Sequence, residues 1–477
     1  MKKRFNMILA MDKMGGIGLN NRLPWSCSKD LQFFKKTTSA TVFPDKKNCV
    51  IMGRNTWKSC GILKNRYNII ISKQFKNLKI ENPKDPIRFF ENIQSGLDYA
   101  NNEKSIDTIW IIGGSQIYEQ CIRHHLLDKI YITKIDTECK CDCFVKFPKL
   151  TEVSSYSLFT QLVVNSEKLK NEKITFSINT LDFAEKQYLR LLEDIMINGK
   201  EIKGRNGTVK SVLNKQLQFN LQDGFPLLTT KKMFTKGIIE ELLFFIRGET
   251  NTKKLETNKI NIWKGNTTRE FLDSQKKFDY PEGEMGPMYG YQWRYYNKLY
   301  LPCLDNHDYL ELTNTETGID QLSKVITQIK TNPSSRRILM TDYNPLQVNQ
   351  GVLYPCHSLM IQFFVRDDQL DIMMYQRSAD VFLGLPFNIA STSLLLEIVS
   401  KLTGYKAGTV TINLGDCHIY ENHFDAVKTQ LQRIPYRMPT IRLPDFKTIK
   451  EVEETTYKDY TIENYKHYRS IKASMVP

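Results

Sequence analysis

In the first 135 residues the apolar positions gather in short β-rich runs: Phe5 to Ala10, Val50 to Met52, Asn68 to Ile71, Thr108 to Ile112 and Ile130 to Thr133. Stretches of helical character separate them, and that alternation predicts an α/β fold, a mostly parallel sheet with flanking helices. Ligands of such sheets bind at the carboxyl ends of the strands, so the residues that follow each run carry the candidate chemistry. A further β-like stretch near Ile174 to Ile178 precedes an amphipathic pattern that begins by Phe183 and continues through Tyr188, Leu191 and Leu192. No Gly/Ser-rich or Pro-rich tether, low-complexity segment or internal repeat intervenes. Two domains, 1–180 and 181–477, are therefore expected, with almost no linker and in a fixed relation.

Composition narrows the class. At 477 residues, 41% apolar and 25% charged, the chain can bury two or three cores and is too apolar for disorder. Lys2, Lys3 and Arg4 before Phe5 to Met11 look superficially like a secretory signal, but Asn6 and Asp12 confine the apolar stretch below signal-core length, which favours a first core strand. Ile238 to Ile246 is interrupted by Glu240 and Glu241, and nothing approaches the roughly 20 apolar residues that span a bilayer. A cytoplasmic protein with no membrane partner is expected. Ten cysteines without a signal read as reduced thiols, and the one-residue spacing of Cys139, Cys141 and Cys143 does not suit a zinc site, so no metal is expected. The net charge of +15 is spread among acids, which suits anionic small substrates and predicts no nucleic-acid binding beyond a secondary RNA contact.

Two strand ends in the first half carry suitable residues. Gly53, Arg54, Asn55 and Thr56 follow Val50-Ile51-Met52, and Gly113, Gly114 and Ser115 follow Trp110-Ile111-Ile112; each opens a helix whose free N–H groups suit a pyrophosphate. Alone, either is weak evidence, and Gly-Gly before a helix is more often simply a tight turn. Asp30 shares a helical face with Phe33 and Phe34, where a carboxylate needs a partner unless the helix dipole alone stabilises it. With these, Ile17-Gly18-Leu19 through Leu23-Pro24-Trp25, Ile69-Ile70-Ile71-Ser72 and Ile112 through Tyr118 resemble dihydrofolate reductase in order and spacing. The resemblance implies that Asp30 holds the amidine edge of a pterin and promotes protonation at N5 while NADPH gives hydride to C6. Leu31, Phe34 and Thr133 match the pterin contacts, Thr133 being linked to the acid, and Arg66 matches the contact to the glutamate carboxylate of folate. Ala10 matches positions around the pterin and the cofactor. Gly18, Gly53, Arg54, Thr56, Ser72, Lys73, Gly113, Gly114, Ser115 and Tyr118 match the NADPH side, with Arg54 and Lys73 at the 2′-phosphate. The family's usual Pro-Leu-Pro-Gly-Arg turn is Ile62-Leu63-Lys64-Asn65-Arg66 here.

In the second half, Tyr354-Pro355-Cys356-His357 offers a nucleophile, since nearby cations in Ser335-Arg336-Arg337 and Gln376-Arg377-Ser378 would stabilise a thiolate; a buried structural cysteine is the other reading. Asp223 through Lys232, Glu241 to Phe244, Gly286 to Gly290, Ser335 to Arg337, Pro355 to His357, Gln376 to Asp380 and Leu385 to Ser391 resemble thymidylate synthase, an α+β fold, from about residue 183 onward. The resemblance implies that Cys356 adds to carbon 6 of dUMP, that carbon 5 then attacks 5,10-methylenetetrahydrofolate, and that the products are thymidylate and dihydrofolate, the substrate of the first half. Arg205, Arg377 and Ser378 match the phosphate contacts, completed by Arg336 and Arg337 of a second subunit, so a homodimer through the synthase domain is expected. Arg377, Tyr289 and His357 would support the thiol, Glu241 would organise proton transfer through water, and Asp380 would contact folate. Gln376 belongs with the nucleotide contacts, His418 and Tyr420 match those to deoxyribose, and Asn388 would pair with the uracil edge. An acid at position 388 would instead favour cytosine and a hydroxymethylating relative.

Two readings from other classes stay open: a synthase whose first half is a scaffold, which Asp30, Arg54 and Gly113-Gly114 argue against, and an RNA-binding protein. Ala379, Tyr354 and the tail Tyr465 to Lys472 depart from the synthase pattern, leaving closure of the carboxyl tail over folate open.

Overall fold

The apolar runs of the first half are strands buried on both faces. The computed structural model describes residues 3–41, 43–77, 86–122, 127–135, 138–145, 156–169, 172–204, 207–302, 318–433, 435, 436 and 438–474, with the backbone alone at 77, 156–169 and 172–183. The chain divides into two compact units, Met1–Lys186 and Gln187–Pro477.

The first unit contains, in order, β1 (Phe5–Met11), β2 (Gly16–Gly18), α1 (Ser28–Ser39), β3 (Lys47–Gly53), α2 (Arg54–Cys60), β4 (Tyr67–Ile71), β5 (Ile87–Phe90), α3 (Ile93–Asn102), β6 (Ile106–Gly113), α4 (Ser115–Cys121), β7 (Leu127–Ile135), β8 (Cys143–Phe144), β9 (Tyr156–Leu169) and β10 (Glu172–Phe183). Eight of these strands form one sheet in the order β5-β4-β3-β6-β1-β7-β10-β9, parallel from β5 to β7 and antiparallel beyond. Period-two alternation assigns the side chains to two cores. Phe5, Met7, Leu9, Cys49 and Ile51 pack with Leu97 of α3 and Ile117 of α4. Ile8, Val50, Met52 and Trp110 pack on the other side with Phe33 and Phe34 of α1 and Trp57 of α2. Burial of both faces is why these strands read as continuous apolar runs rather than alternating ones. Strand β10 continues to Phe183, so the helix expected by Phe183 is α5 (Ala184–Asn198), one residue later, and the compact unit extends past residue 180.

The second unit is built on a six-stranded sheet, in the order β11 (Lys200–Gly204), β12 (Gly207–Asn220), β16 (Lys406–Tyr420), β15 (Gln369–Asp380), β14 (Met360–Arg366) and β13 (Leu339–Met340). Only β15 and β16 run parallel. One face is covered by α11 (Gly384–Thr403), against which α6 (Thr235–Ile246) packs; α7 (Lys253–Thr257), α8 (Arg269–Ser274), α9 (Gly290–Tyr295) and α10 (Gln321–Thr331) complete the helices before β13. Every residue of α6 from Gly237 to Ile246 is buried, Glu240 and Glu241 included, so the segment that reads as an interrupted apolar run is a core helix with two acids inside. The opposite face of the sheet, carrying Met360 and Gln362, Met373 and Tyr375, Thr411 and Asn413, and Gln216 and Gln218, is half-exposed. Among the described residues no helix is long and apolar enough to cross a membrane.

Candidate active sites

In the first unit the acid stands where three elements meet. Asp30, in the first turn of α1, is buried, and its Oδ1 accepts from the Thr133 hydroxyl of β7 at 2.6 Å. The parallel register sets Ala10 of β1 beside Thr133, so Ala10, Asp30 and Thr133 share one locality. The site's wall is apolar: Trp25, Cys27 and Ile135 pack with Ala10 and Phe33, and Phe34 joins Trp110 and Tyr131 in the neighbouring core. Leu31 is about half exposed at 52%, one residue from the acid. Trp25 Nε1 is buried without a partner among the described residues, a polar atom left facing this dry wall. Arg66 is also buried; its Nη1 donates to Thr38 Oγ1 of α1 at 2.6 Å, which ties the last residue of the altered turn to the same helix as Asp30.

The two glycine turns converge. The β3–β6 pairing sets Met52 opposite Gly113, which brings the start of α2 beside the start of α4. The space between them is closed to side chains. A Cβ on Gly113, whose φ is +113°, would lie 3.0 Å from Tyr118, and one on Gly114 would lie 3.3 Å from Thr56 Oγ1. Tyr118 itself sits beneath the turn, with its hydroxyl donating to the Ile8 carbonyl at 2.8 Å. The next strand end adds cations. Gly53 pairs with Ile71, so Arg54 and Ser72-Lys73 emerge side by side, and Arg54 Nη1 donates to Gln74. Ser115 Oγ lies 3.5 Å from Cys143 Sγ of β8, whose partner strand β2 contains Gly18.

In the second unit the thiol is held from two sides. The Cys356 carbonyl accepts from the N–H of Arg377 at 2.8 Å and of Ser378 at 3.4 Å, fixing the loop to the end of β15. The Tyr289 hydroxyl lies 3.6 Å from Cys356 Sγ and accepts from the Cys356 N–H at 3.4 Å. Tyr289 stacks on His357 at 4.3 Å between ring centres and on Phe245 at 5.1 Å. It does so with φ +43°, a costly conformation for an aromatic residue, and Gly290 follows because a Cβ there would lie 2.3 Å from the Phe245 carbonyl. Burial raises the Cys356 thiol above its ordinary value, and the Tyr289 hydroxyl and the Arg377 guanidinium only partly oppose this. Of the arginines expected around the thiol, Arg377 of the same chain favours its ionised form, and burial opposes it more strongly. Burial also lowers His357 to about 4, so its ring is neutral, and Nδ1 lies 2.7 Å from Ser358 Oγ.

Other expected positions lie in the same unit. Glu241, buried on α6, accepts from Trp263 Nε1 at 2.8 Å, and desolvation carries its carboxyl up to about 7. Gln376 Nε2 donates to Asn388 Oδ1 at 3.0 Å, which turns the Asn388 amide nitrogen away from Gln376. The β15–β16 register sets Ser378 beside Asp416 and Asp380 beside His418. His418 Nδ1 lies 2.7 Å from Asp416 Oδ1, and Tyr420 meets the His418 ring edge-on at 5.3 Å. Asp380 Oδ1 accepts from the N–H groups of Phe382 and Leu383, so one of its oxygens is engaged in shaping the turn into α11. Arg336 and Arg337 are exposed on the loop before β13. Arg205 lies outside the described residues.

Several residues that complete these sites carry no signal in the sequence. Trp263 is 22 positions beyond Glu241, and Asp416 is one acid among many until it faces His418 and Ser211. Tyr354, one of the departures from the synthase pattern, lies beneath the Arg377 guanidinium at 5.4 Å and bonds through its hydroxyl to Tyr343 at 2.9 Å. Arg377 also donates to the carbonyls of Pro355 and Tyr354. Among the described residues no group of three His, Cys, Asp or Glu side chains is placed to hold a metal.

Known proteins resemble both units. The dihydrofolate reductase family model matches residues 4–181 and the thymidylate synthase family model residues 186–477. A bifunctional dihydrofolate reductase-thymidylate synthase from Paramecium tetraurelia is 37% identical over 491 residues, covering 99% of each chain. Proteins of the same description from Leishmania major (35% over 509 residues, 99% of this chain and 95% of the relative) and Glycine max (34% over 516 residues, 99% and 95%) align similarly.

Proposed function

Since this chain belongs to the bifunctional dihydrofolate reductase-thymidylate synthase family, which methylates dUMP to dTMP and reduces the resulting dihydrofolate with NADPH, we propose the residues that carry each step. The observation that carries the synthase assignment is the grip on Cys356: backbone N–H groups from β15 on its carbonyl and the Tyr289 hydroxyl at its sulfur. Cys356 is the nucleophile that adds to carbon 6 of the uracil. Because burial disfavours its thiolate in the free protein, ionisation is coupled to nucleotide binding, with Arg377 as the cation beside it. Addition leaves electron density on carbon 5 and O4. Asn388, whose Oδ1 is engaged by Gln376, offers its amide nitrogen to O4, and Glu241, near 7, exchanges a proton with the ring through water. Methylenetetrahydrofolate supplies the one-carbon unit and the hydride when bound. Ser378, Arg377 and Arg205 take the phosphate, and His418, oriented by Asp416, with Tyr420 takes the sugar hydroxyl. Asp380, at the turn into α11, contacts folate.

In the reductase unit Asp30, buried and held by Thr133, binds the pterin amidine edge and favours protonation at N5, with Leu31 and Phe34 against the pterin. Arg66 receives the glutamate carboxylate. NADPH supplies hydride when bound. The side-chain-free turn at Gly53, Gly113 and Gly114 fits a pyrophosphate, with Gly18, Thr56 and Ser115 around it, Tyr118 supporting it from below and Ala10 at the nicotinamide end. Arg54, Ser72 and Lys73 fit a 2′-phosphate.

The synthase unit works as a homodimer. Two observations support this: the half-exposed sheet face, and the solvent position of Arg336 and Arg337, which a partner's phosphate site would use. Mixing Cys356→Ala protein with Arg336→Ala, Arg337→Ala protein tests it. Recovery of synthase turnover in the mixture is expected, and a monomer by sedimentation would sink the proposal. One purified species assayed for both dTMP formation and dihydrofolate-dependent NADPH oxidation tests the pair of activities.

A further inference from the structure

A buried histidine beside the sugar-binding position has no role in the scheme above. His423 lies in the turn between β16 and the helix Phe424–Leu431 and is fully buried. Its ring is packed on two sides: Tyr420 meets it edge-on at 5.9 Å between ring centres, and Phe382 lies at 5.5 Å. On a third side its Nε2 lies 2.8 Å from the Ser474 carbonyl. A carbonyl only accepts, so Nε2 carries a proton and donates. Nδ1 is buried with no hydrogen-bond partner among the described residues. A phenylalanine would fill the same space without burying an unpaired nitrogen, so what the histidine adds is its bond to the carboxyl tail.

The tail reaches His423 along a fixed course, as a chain end must if it is not to fray. The Tyr465 hydroxyl donates to the Leu228 carbonyl at 2.7 Å and accepts from the Met233 N–H at 3.0 Å, and the Tyr468 N–H donates to the Thr229 carbonyl at 2.9 Å. Arg433 Nη1 joins the carbonyls of Thr230 and Arg469, and its guanidinium lies 5.3 Å from the Tyr468 ring, which stacks on Tyr436 at 5.0 Å. The segment that the tail crosses continues into Lys231, whose ammonium donates to the Phe382 carbonyl and lies 3.9 Å over the Phe382 ring. Phe382 in turn gives its N–H to Asp380. The tail is therefore joined to the Asp380 turn twice, through the Leu228 to Lys231 segment and, at Ser474, through His423.

We propose that His423 is a positioning residue of the synthase: its bond to the Ser474 carbonyl seats the tail, and the seated tail holds the Asp380 turn in the arrangement that receives methylenetetrahydrofolate. The proposal rests on Asp380 as a folate contact. His423 touches neither substrate and acts through Ser474 and Phe382.

The test compares two variants of the full chain: His423→Phe, which keeps an aromatic ring and lacks the donor, and His423→Gln, whose amide nitrogen can still donate. His423→Phe is expected to raise the KM for methylenetetrahydrofolate by about three- to tenfold, the effect of one hydrogen bond, with dUMP affinity changed less than about twofold. Trypsin should cut it after Arg469 and Lys472 faster by a similar factor, read by intact mass, because cleavage follows the population of released tail. His423→Gln should bring both readouts back to within about twofold of the unaltered protein. An unchanged KM or unchanged cleavage in His423→Phe overturns the proposal, as does an equal loss of affinity for both substrates. A His423→Gln protein no better than His423→Phe, or a His423→Phe protein that does not fold, would make the residue structural and overturns it equally. Tail cleavage does not depend on folate. An unchanged KM for methylenetetrahydrofolate in Asp380→Ala would therefore remove the Asp380 assignment separately.

Discussion

Asp30 and Glu241 are both buried carboxyls that accept from a side-chain donor, Thr133 at 2.6 Å and Trp263 at 2.8 Å, yet they sit in sites built on opposite plans. The reductase site lies at the ends of neighbouring parallel strands, each flowing directly into the helix that carries the next functional residue: Gly53 into Arg54, Gly114 into Ser115. Its motifs are therefore contiguous in sequence. The synthase site draws Glu241, Tyr289, Cys356, Arg377, Asn388 and His418 from a helix, a helix start, a loop, two strands and a second helix. Side chains in that site ionise in surroundings that none of them creates alone, which is why its acids and its thiol lie so far from their ordinary ranges.

The largest expected effect separates the two plans outright. Cys356→Ala should reduce dTMP formation to background and leave dihydrofolate-dependent NADPH oxidation within about twofold of the original, since changes at independent sites in separate units do not couple. A matched loss of both activities, measured on the same preparation, would break the comparison.

Next is its mirror image. Asp30→Asn should lower the reductase rate at neutral pH by about 10²- to 10⁴-fold with the synthase unchanged. An undiminished reductase rate would remove Asp30 from its role.

Glu241 sharpens the contrast between activity and stability. Glu241→Gln should cost the synthase about 10²-fold or more. Its carboxyl is raised in the folded chain from 4.5 to about 7, so the folded state binds the proton more tightly than the unfolded one. Stability from this group is full below pH 4.5 and is lost as pH rises through about 7. Above that range Glu241→Gln should unfold later than the original by roughly 2 to 3 kcal/mol, as read by denaturant titration at two pH values. A variant less stable at pH 8 than the original protein would contradict the burial of an unpaired charge.

The smallest effect concerns Tyr354. Tyr354→Leu removes the ring beneath Arg377 and should raise the KM for dUMP by about two- to fivefold while leaving kcat nearly unchanged, the size of an exposed cation–π contact. A fall in kcat alone would show that Tyr354 serves the thiol rather than the phosphate.

Legibility followed the same division. The runs Phe5 to Ala10 and Val50 to Met52 mark strands because parallel strands buried on both faces leave an unbroken apolar trace. β5 (Ile87–Phe90) escapes that test because it is a short edge strand with only Ile87 buried. The helix at Ile238 to Ile246 is visible by composition, but that its two glutamates point into a core is not, since burial of an acid depends on what packs around it. Trp263 and Asp416 were invisible for one reason: each matters through a neighbour that only the fold brings to it.

By itself the sequence determined the two-part plan, the strand-to-helix glycine turns and the candidates for nucleophile and acid, because local steric demands and residue chemistry are written residue by residue. Only the tertiary structure decided how those groups ionise. It encloses Cys356 where desolvation outweighs Arg377 and carries Glu241 to about 7, because desolvation and charge pairing are properties of a folded neighbourhood.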